Sequence, residues 1–472
     1  MNDLKKVVVD KKIIVPFILI TSLFALWGFA NDITNPMVEA FSRIFNMGTR
    51  GGTWVQVAFY GGYGAMAFPA ALFIRRFTYK AGILLGLGLY ATGALLFIPA
   101  SSIGLYYPFL IAYFVMTCGL SFLETSANPY ILSMGEEETA TRRLNLAQAF
   151  NPMGSLTGMF VATTMIQARL DPRDATIRAT LSHEEFEAVK MSDLSILSSP
   201  YITVGIVILV MFGLITIVKM PKNADASHRL NLLKTLNKLF RIPRYRDGVI
   251  AQLFYVGAQI MVWTFIVQYG KRIFMNEGLA PEALTVGWLR IVNSLGFLSN
   301  EAEQSIASGN AINGLAAGYA AHIAQLYNIL AMLIFLISRF VCTFLLKYVR
   351  PGSLLMYLAL GGILCTGGTI VFQNIYGLYF LIGISACMSL MFPTIYGIAL
   401  RGMGDDAKFG AAGLIMAIVG GTFLPKLQAM IIDKETIFSI PAVNVSFILP
   451  LLCFVLIAIY GFRTEKVFGK EA

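Results

Sequence analysis

Acids and amides stand inside runs of residues otherwise suited only to hydrocarbon. The clearest case is Glu124 in GLSFLETSANPY, the one charge in the stretch 105–134. A carboxylate at mid-membrane costs roughly 2.5–3.5 kcal/mol on insertion scales, so a function is expected to offset it. Thr117, Ser121, Glu124 and Asn128 share one helical stripe. A protonated carboxyl both donates and accepts hydrogen bonds, which suits a polyhydroxylated ligand. A structural Glu124 would instead need a buried cation. Its own run has none, and Arg339 is distant in topology.

Asp32, Asn35 and Glu39 in LWGFANDITNPMVEAF are spaced i, i+3, i+7 and lie on one helical face. Pro36 lacks an N–H, which frees the carbonyl of Asp32 and kinks the helix. A kinked polar face is what a substrate cavity needs. Pairing of Asp32 with a buried cation or amide is the structural alternative. Glu39 lies nearer the outer end, where it reaches water.

In RRLNLAQAFNPMG, Gln148 and Asn151 sit at i, i+3, and Pro152 releases the carbonyl of Gln148. Paired amides suit sugar hydroxyls because each offers donor and acceptor. They also serve as glue between membrane helices. Further on, Gln259 and Trp263 set an amide one turn from a flat ring, with Gln252 earlier in the same run. That pairing fits a sugar, and the ring serves equally as packing bulk. Arg339 reads as structural, and Lys426, near an outer end, as a snorkelling cation.

Other chemistry lacks its residues. There is no GxxxxGK[ST] loop for a nucleotide. His183, His228 and His322 are scattered, and the five cysteines have no metal-ligand spacing and read as packing residues. No nucleophilic triad or carboxylate pair stands out for an enzyme.

The elements that must hold these groups follow from composition. Hydrophobic residues make up 57% of the chain and charged ones 13%, where about a quarter is usual in soluble proteins. With a mean hydropathy of +0.70, the chain is a polytopic integral membrane protein. A helix needs roughly 20 apolar residues to cross the bilayer core. Twelve such runs are expected, at 14–41, 53–75, 81–100, 104–133, 144–168, 200–219, 247–273, 319–347, 352–373, 375–400, 409–431 and 443–462. No barrel-type alternation is present, so the expected fold is all-α.

The net charge of +10 reports topology rather than nucleic-acid binding. Lys5, Lys6, Lys11, Lys12, Arg75, Arg76, Lys80, Arg142 and Arg143 fall on one side of the membrane. So do the basic residues of the central connector, Lys347, Arg350, Arg401, Lys408, Arg463, Lys466 and Lys470. By the positive-inside rule both termini are cytoplasmic. The basic, polar connector 219–248 separates two halves, 1–218 and 249–472. Long outer loops are expected at 169–199 and 274–318. FIRRFTYKAGILLG (73–86) and FLLKYVRPGSLLMY (344–357) echo each other six runs apart, as related halves would.

The segments LWGFAND, FYGGYGAMAFPAALFIRRFTYKAGILLGLGLY, FLETSANPYI, RLNLAQAFNPMG, LFYVGAQIMVW and MFPTIYGIALRGMG resemble the fucose–galactose–glucose family of proton symporters within the major facilitator superfamily. The resemblance spans nearly the whole chain. It implies twelve transmembrane helices in two six-helix halves, with a central pocket and alternating access. It links Glu124 to sugar binding coupled to protonation, and Gln148 and Asn151 to sugar contact. Two positions depart from the family pattern. Its proton-binding aspartate in the first helix is Asn35 here, with the acid one turn earlier at Asp32. Its tyrosine in the tenth-helix motif is Phe392 here.

The expectation is therefore uptake of a neutral, L-fucose-like monosaccharide by proton symport, with sodium coupling or a non-transporting sugar sensor as alternatives. Asp32 and Glu124 are the expected proton-coupling residues. Glu124, Gln148 and Asn151, with Asn31, Asn35, Asn128, Gln259 and Trp263, form the expected sugar site. No cofactor is expected beyond the coupling ion, H⁺ or Na⁺. The setting is a bacterial cytoplasmic membrane, and the working unit a monomer whose partners are its sugar and lipid, not nucleic acid.

Overall fold

The computed structural model describes residues 9, 13–34, 37–47, 54–167, 169–171, 178, 180–219, 238–276, 317–434, 436–437 and 439–466. The first half contains α1 (Ile14–Thr34), α2 (Met37–Ile44), α3 (Trp54–Arg76), α4 (Tyr79–Leu95), α5 (Phe97–Ile103), α6 (Tyr106–Ser133), α7 (Glu137–Gln148), α8 (Asn151–Val161) and α9 (His183–Ile217). The second contains α10 (Pro243–Asn276), α11 (Ala317–Leu345), α12 (Pro351–Val371), α13 (Ile375–Met388), α14 (Met391–Leu400), α15 (Ala407–Met416), α16 (Gly420–Ile432), α17 (Ala442–Ser446) and α18 (Ile448–Lys466). Eleven helical spans among the described residues are long and apolar enough to cross a membrane.

The fifth expected run, 144–168, breaks instead into α7 and α8 and ends in a π turn, Ala162–Gln167. The cause is local. Pro152 has no N–H to give to the carbonyl of Gln148, so the ladder stops there and restarts at Asn151. With this broken helix the expected twelve crossings are complete. The first expected run holds α1 and α2, and residues 35 and 36 between them lie outside the described residues.

Three other expectations change. The outer segment 169–199 is not all loop, because α9 starts at His183. Ser182 Oγ accepts from Glu185 N at 3.3 Å, while Glu185 Oε2 accepts from Ser182 N at 3.2 Å. This reciprocal cap starts the helix seventeen residues ahead of its apolar run. At the other end of the connector, α10 begins at Pro243, six residues before the expected half. The fold also includes one short hairpin, where Thr436–Ile437 pairs antiparallel with Ile440–Pro441.

Close helix packing rests on small residues, as it must where lipid is as apolar as the side chains. Gly154 and Gly158 in GSLTG face α1. A Cβ on Gly154 would stand 1.8 Å from the carbonyl oxygen of Ala25. Arg143, expected in a loop, is instead buried on α7 and caps the end of α6. Its Nε donates to Ile131 O at 2.8 Å and its Nη2 to Leu132 O at 2.5 Å. A cation at a helix C-terminus also meets the favourable end of the dipole.

At one end of the bundle the halves are joined. Asp406 accepts from Lys238 at 2.6 Å and lies 3.9 Å from Arg75. Glu137 Oε1 accepts from Gly402 N at 2.9 Å. Phe68 and Phe409 pack ring to ring at 5.7 Å.

Gly154→Leu is expected to wedge α1 from α8 and lower stability by about 1–3 kcal/mol or more. Gly61→Ala, where a Cβ meets nothing within 4 Å, is expected to be neutral. Thermal unfolding of the two purified variants in detergent checks the contrast.

Candidate functional site

Glu124 is 5% exposed and points into the protein, not at lipid. The Tyr63 hydroxyl donates to its Oε1 at 2.7 Å. One turn on, Asn128 Nδ2 donates to the backbone carbonyl of Glu124 at 2.9 Å. The Asn128 side-chain oxygen then accepts from Gln148 Nε2 at 2.7 Å. The freed carbonyl of Gln148 accepts from Arg339 Nη1 at 2.9 Å. Arg339 also donates through Nε to Ser389 O and stacks its guanidinium over Phe335 at 4.7 Å.

A continuous chain of polar contacts thus runs from α3 through α6 and α7 into α11 of the second half. It joins an acid in one half to a cation in the other without a direct ion pair. Two prolines flank members of this chain. The kink at Pro152 exposes the carbonyl that Arg339 takes. Pro129 lies next to Asn128 in a stretch of α6 buried throughout, Thr117–Ile131. A buried guanidinium on carbonyls alone is costly unless each N–H is matched, and the Phe335 face adds a cation–π contact.

Asp32 is also buried, on α1, and engages partners in the protein. Tyr60 lies within electrostatic reach of it. Tyr60 and Tyr63 are three residues apart on α3, so one helix presents phenols toward both acids. Sequence reasoning passed over these tyrosines. The signal was present in FYGGYGAMAF, where two phenols interrupt a helix of small residues.

The remaining expected residues are placed unevenly. Asn31 is half-buried beside Asp32. Asn35 lies outside the described residues, as does the side chain of Glu39. Asn151 Nδ2 donates to Phe24 O at 3.1 Å, so its amide N–H ties α8 to α1. Trp263 Nε1 donates to Ser385 Oγ at 3.2 Å, and its ring packs on Phe335 at 5.1 Å. Gln259 is half-buried and has no hydrogen-bond partner among the described residues. Lys426 is exposed. Arg339, expected to be structural and distant in topology, bonds backbone carbonyls of both halves, and the break in the fifth helix brings α7 to it.

A cavity of about 450 Å³ opens between the halves, near the end of α6 and the end of α14. Tyr79, Pro129, Ser133 and Thr141 line it from the first half, and Gly397 and Arg401 from the second. Glu124 is not among its lining residues.

Twelve crossings, kinked helices and a buried acid at the seam of two bundles define a membrane carrier rather than a channel or an enzyme. Comparison with known proteins gives the family. The Major Facilitator Superfamily matches residues 18–425, and the chain belongs to it. It is 49% identical to the L-fucose-proton symporter of Haemophilus influenzae over 98% of this chain and 99% of that one. It is 30% identical to the L-fucose-proton symporter of Escherichia coli, covering 97% and 94%. A glucose/galactose transporter of Brucella abortus is 28% identical, covering 95% and 93%. Among solved structures, the transporter FucP in its outward conformation superposes with a TM-score of 0.77 at 30% identity, covering 95% and 99%.

Arg339→Met is expected to leave the Gln148 and Ser389 carbonyls unmatched and lower stability by about 1–3 kcal/mol for each group. Arg339→Lys should recover only part of the loss, because an ammonium lacks the planar fork. Melting temperatures of the three purified proteins check this order.

Proposed function

We propose that this chain carries L-fucose or a close neutral monosaccharide into the cell together with a proton, by alternating access. One observation carries the reading: a buried carboxyl, bonded to a phenol, lies in a polar chain that crosses from one half to the other. Proton loading removes the charge of Glu124 and leaves a group that both donates and accepts. The loaded carrier then closes without an unmatched charge in a low-dielectric seam, and closure shifts the population toward the opposite-facing state. Unloading reverses each step. The symporter relatives support this coupling ion.

Glu124 bridges proton and sugar in this reading, with Asp32 as the second coupling acid. Gln148, Asn128, Asn151, Asn31, Asn35, Gln259 and Trp263 form the surrounding sugar site. Asn151 and Trp263 would contribute the atoms not used in tying helices together. Residues 1–218 and 249–472 move as two bodies, with 219–248 as their link. The cytoplasmic cavity is the exit vestibule. The protein works as a monomer in a bacterial cytoplasmic membrane, with both termini inside.

Uptake of labelled sugars into proteoliposomes tests this, with sodium present or absent. L-Fucose is expected to accumulate under an inward proton gradient whether or not sodium is added. Glu124→Gln should exchange sugar across the membrane but no longer concentrate it, and Asp32→Asn should weaken concentration as well. Accumulation that needs sodium, or full accumulation by both variants, would sink the proton assignment. Binding without accumulation by the unaltered protein would mark a sensor instead.

A further inference from the structure

Among the described residues, two polar side chains of the second half are fully buried and bond to nothing through their polar atoms. Tyr396 on α14 is 0% exposed and its hydroxyl has no partner. Gln252 on α10 is 0% exposed, and neither its amide oxygen nor its amide nitrogen has one. Leaving such groups unmatched is costly, and native interiors do so rarely. Nearby phenols behave differently. Tyr245 donates to Gly410 O at 2.9 Å, and Tyr255 to Met388 O at 3.2 Å.

Their position gives this silence a meaning. On α14, Phe392 packs on Tyr255 at 6.2 Å, and Ala399 meets Gly248, so this face lies on α10. Gln252 falls between Gly248 and Tyr255 on α10, at the same level as Tyr396 between Phe392 and Ala399. The adjoining face of α14 meets the first half. Thr394 Oγ1 accepts from Asn145 Nδ2 at 3.4 Å, and Gly397 abuts Thr141. Tyr396 therefore stands where α10, α14 and the first half converge, within electrostatic reach of Glu124. Across the seam, the side-chain oxygen of Asn145 is buried and unmatched as well. A hydroxyl, a whole amide and a second amide oxygen offer donors and acceptors together. That set matches neighbouring hydroxyls of a sugar, each of which needs both.

We propose that Tyr396 and Gln252 are the second half's contacts to the sugar hydroxyls and set which sugar fits. The inference rests on the monosaccharide reading above and adds the second wall of the site. When a sugar spans from the Glu124 side to these groups, both halves hold one ligand, which is what closure around it requires.

The test is calorimetric binding of L-fucose and its mono-deoxy analogues to purified full-length protein, beside Tyr396→Phe and Gln252→Leu. Each variant is expected to bind L-fucose about tenfold more weakly, the scale of one lost hydrogen bond. Each should also lose the penalty that the unaltered protein shows for one particular deoxy sugar. Melting temperatures should be unchanged or higher, since neither side chain bonds to the protein, and this separates lost contact from misfolding. If both variants bind L-fucose within about twofold of the unaltered protein, water fills the seam and the proposal falls. If the unaltered protein prefers another monosaccharide, the L-fucose assignment alone fails, and the same comparison on that sugar decides the role of the two residues. An unaltered protein that binds no sugar overturns both readings.

Discussion

Everything in this molecule depends on keeping polar groups matched where no water is available. A buried carboxyl in a bundle of apolar helices has no solvent to fall back on. The protein answers with a relay rather than a salt bridge: Tyr63 to Glu124, Asn128 to Glu124 and Gln148, Arg339 to Gln148 and Ser389. Each link is a neutral or singly charged hydrogen bond. A direct ion pair between Glu124 and Arg339 would hold the halves in one arrangement. The amide links run through backbone carbonyls of Glu124 and Gln148, so the two halves meet without an ion pair between acid and cation.

The prolines make that relay possible. In a soluble helix, Pro152 would be a defect. Here it splits the fifth crossing into α7 and α8 and exposes a carbonyl in the seam. The glycines of GSLTG then bring α8 against α1 closely enough for Asn151 and Ser155 to reach its backbone. The kinks and the close approaches therefore belong to one design. Irregular backbone is tolerated at membrane depth only where it is buried in protein or lines a cavity.

The joined ends at Asp406 and Glu137 give the seam a direction. Ionic and backbone contacts through Asp406, Glu137 and Gly402 cross between the halves on that face. They lie close to water, where charged contacts are weak and readily exchanged. This suits a gate that must open in each cycle.

Much of this was legible in the residues alone. Hydropathy and the side bias of lysine and arginine were enough for a twelve-crossing bundle, because hydrocarbon accepts little else. The placement of Glu124, Asp32, Gln148 and Asn128 in the interior could be read from their cost in lipid. The Ser182 cap, too, was there to be read ahead of α9. What sequence could not assign was partnership. Spacing puts Gln148 and Asn151 on one face of one helix, but the break between them sends the first into the relay and the second to α1. Arg339 reads as remote because it lies 215 residues from Glu124, and nothing local measures a distance across the seam. The groups left unmatched, Tyr396 and Gln252, are defined only by what fails to reach them. Composition and periodicity are local properties and fix which residues face inward. Which inward-facing groups meet is decided when two halves pack, and only the tertiary structure holds that information.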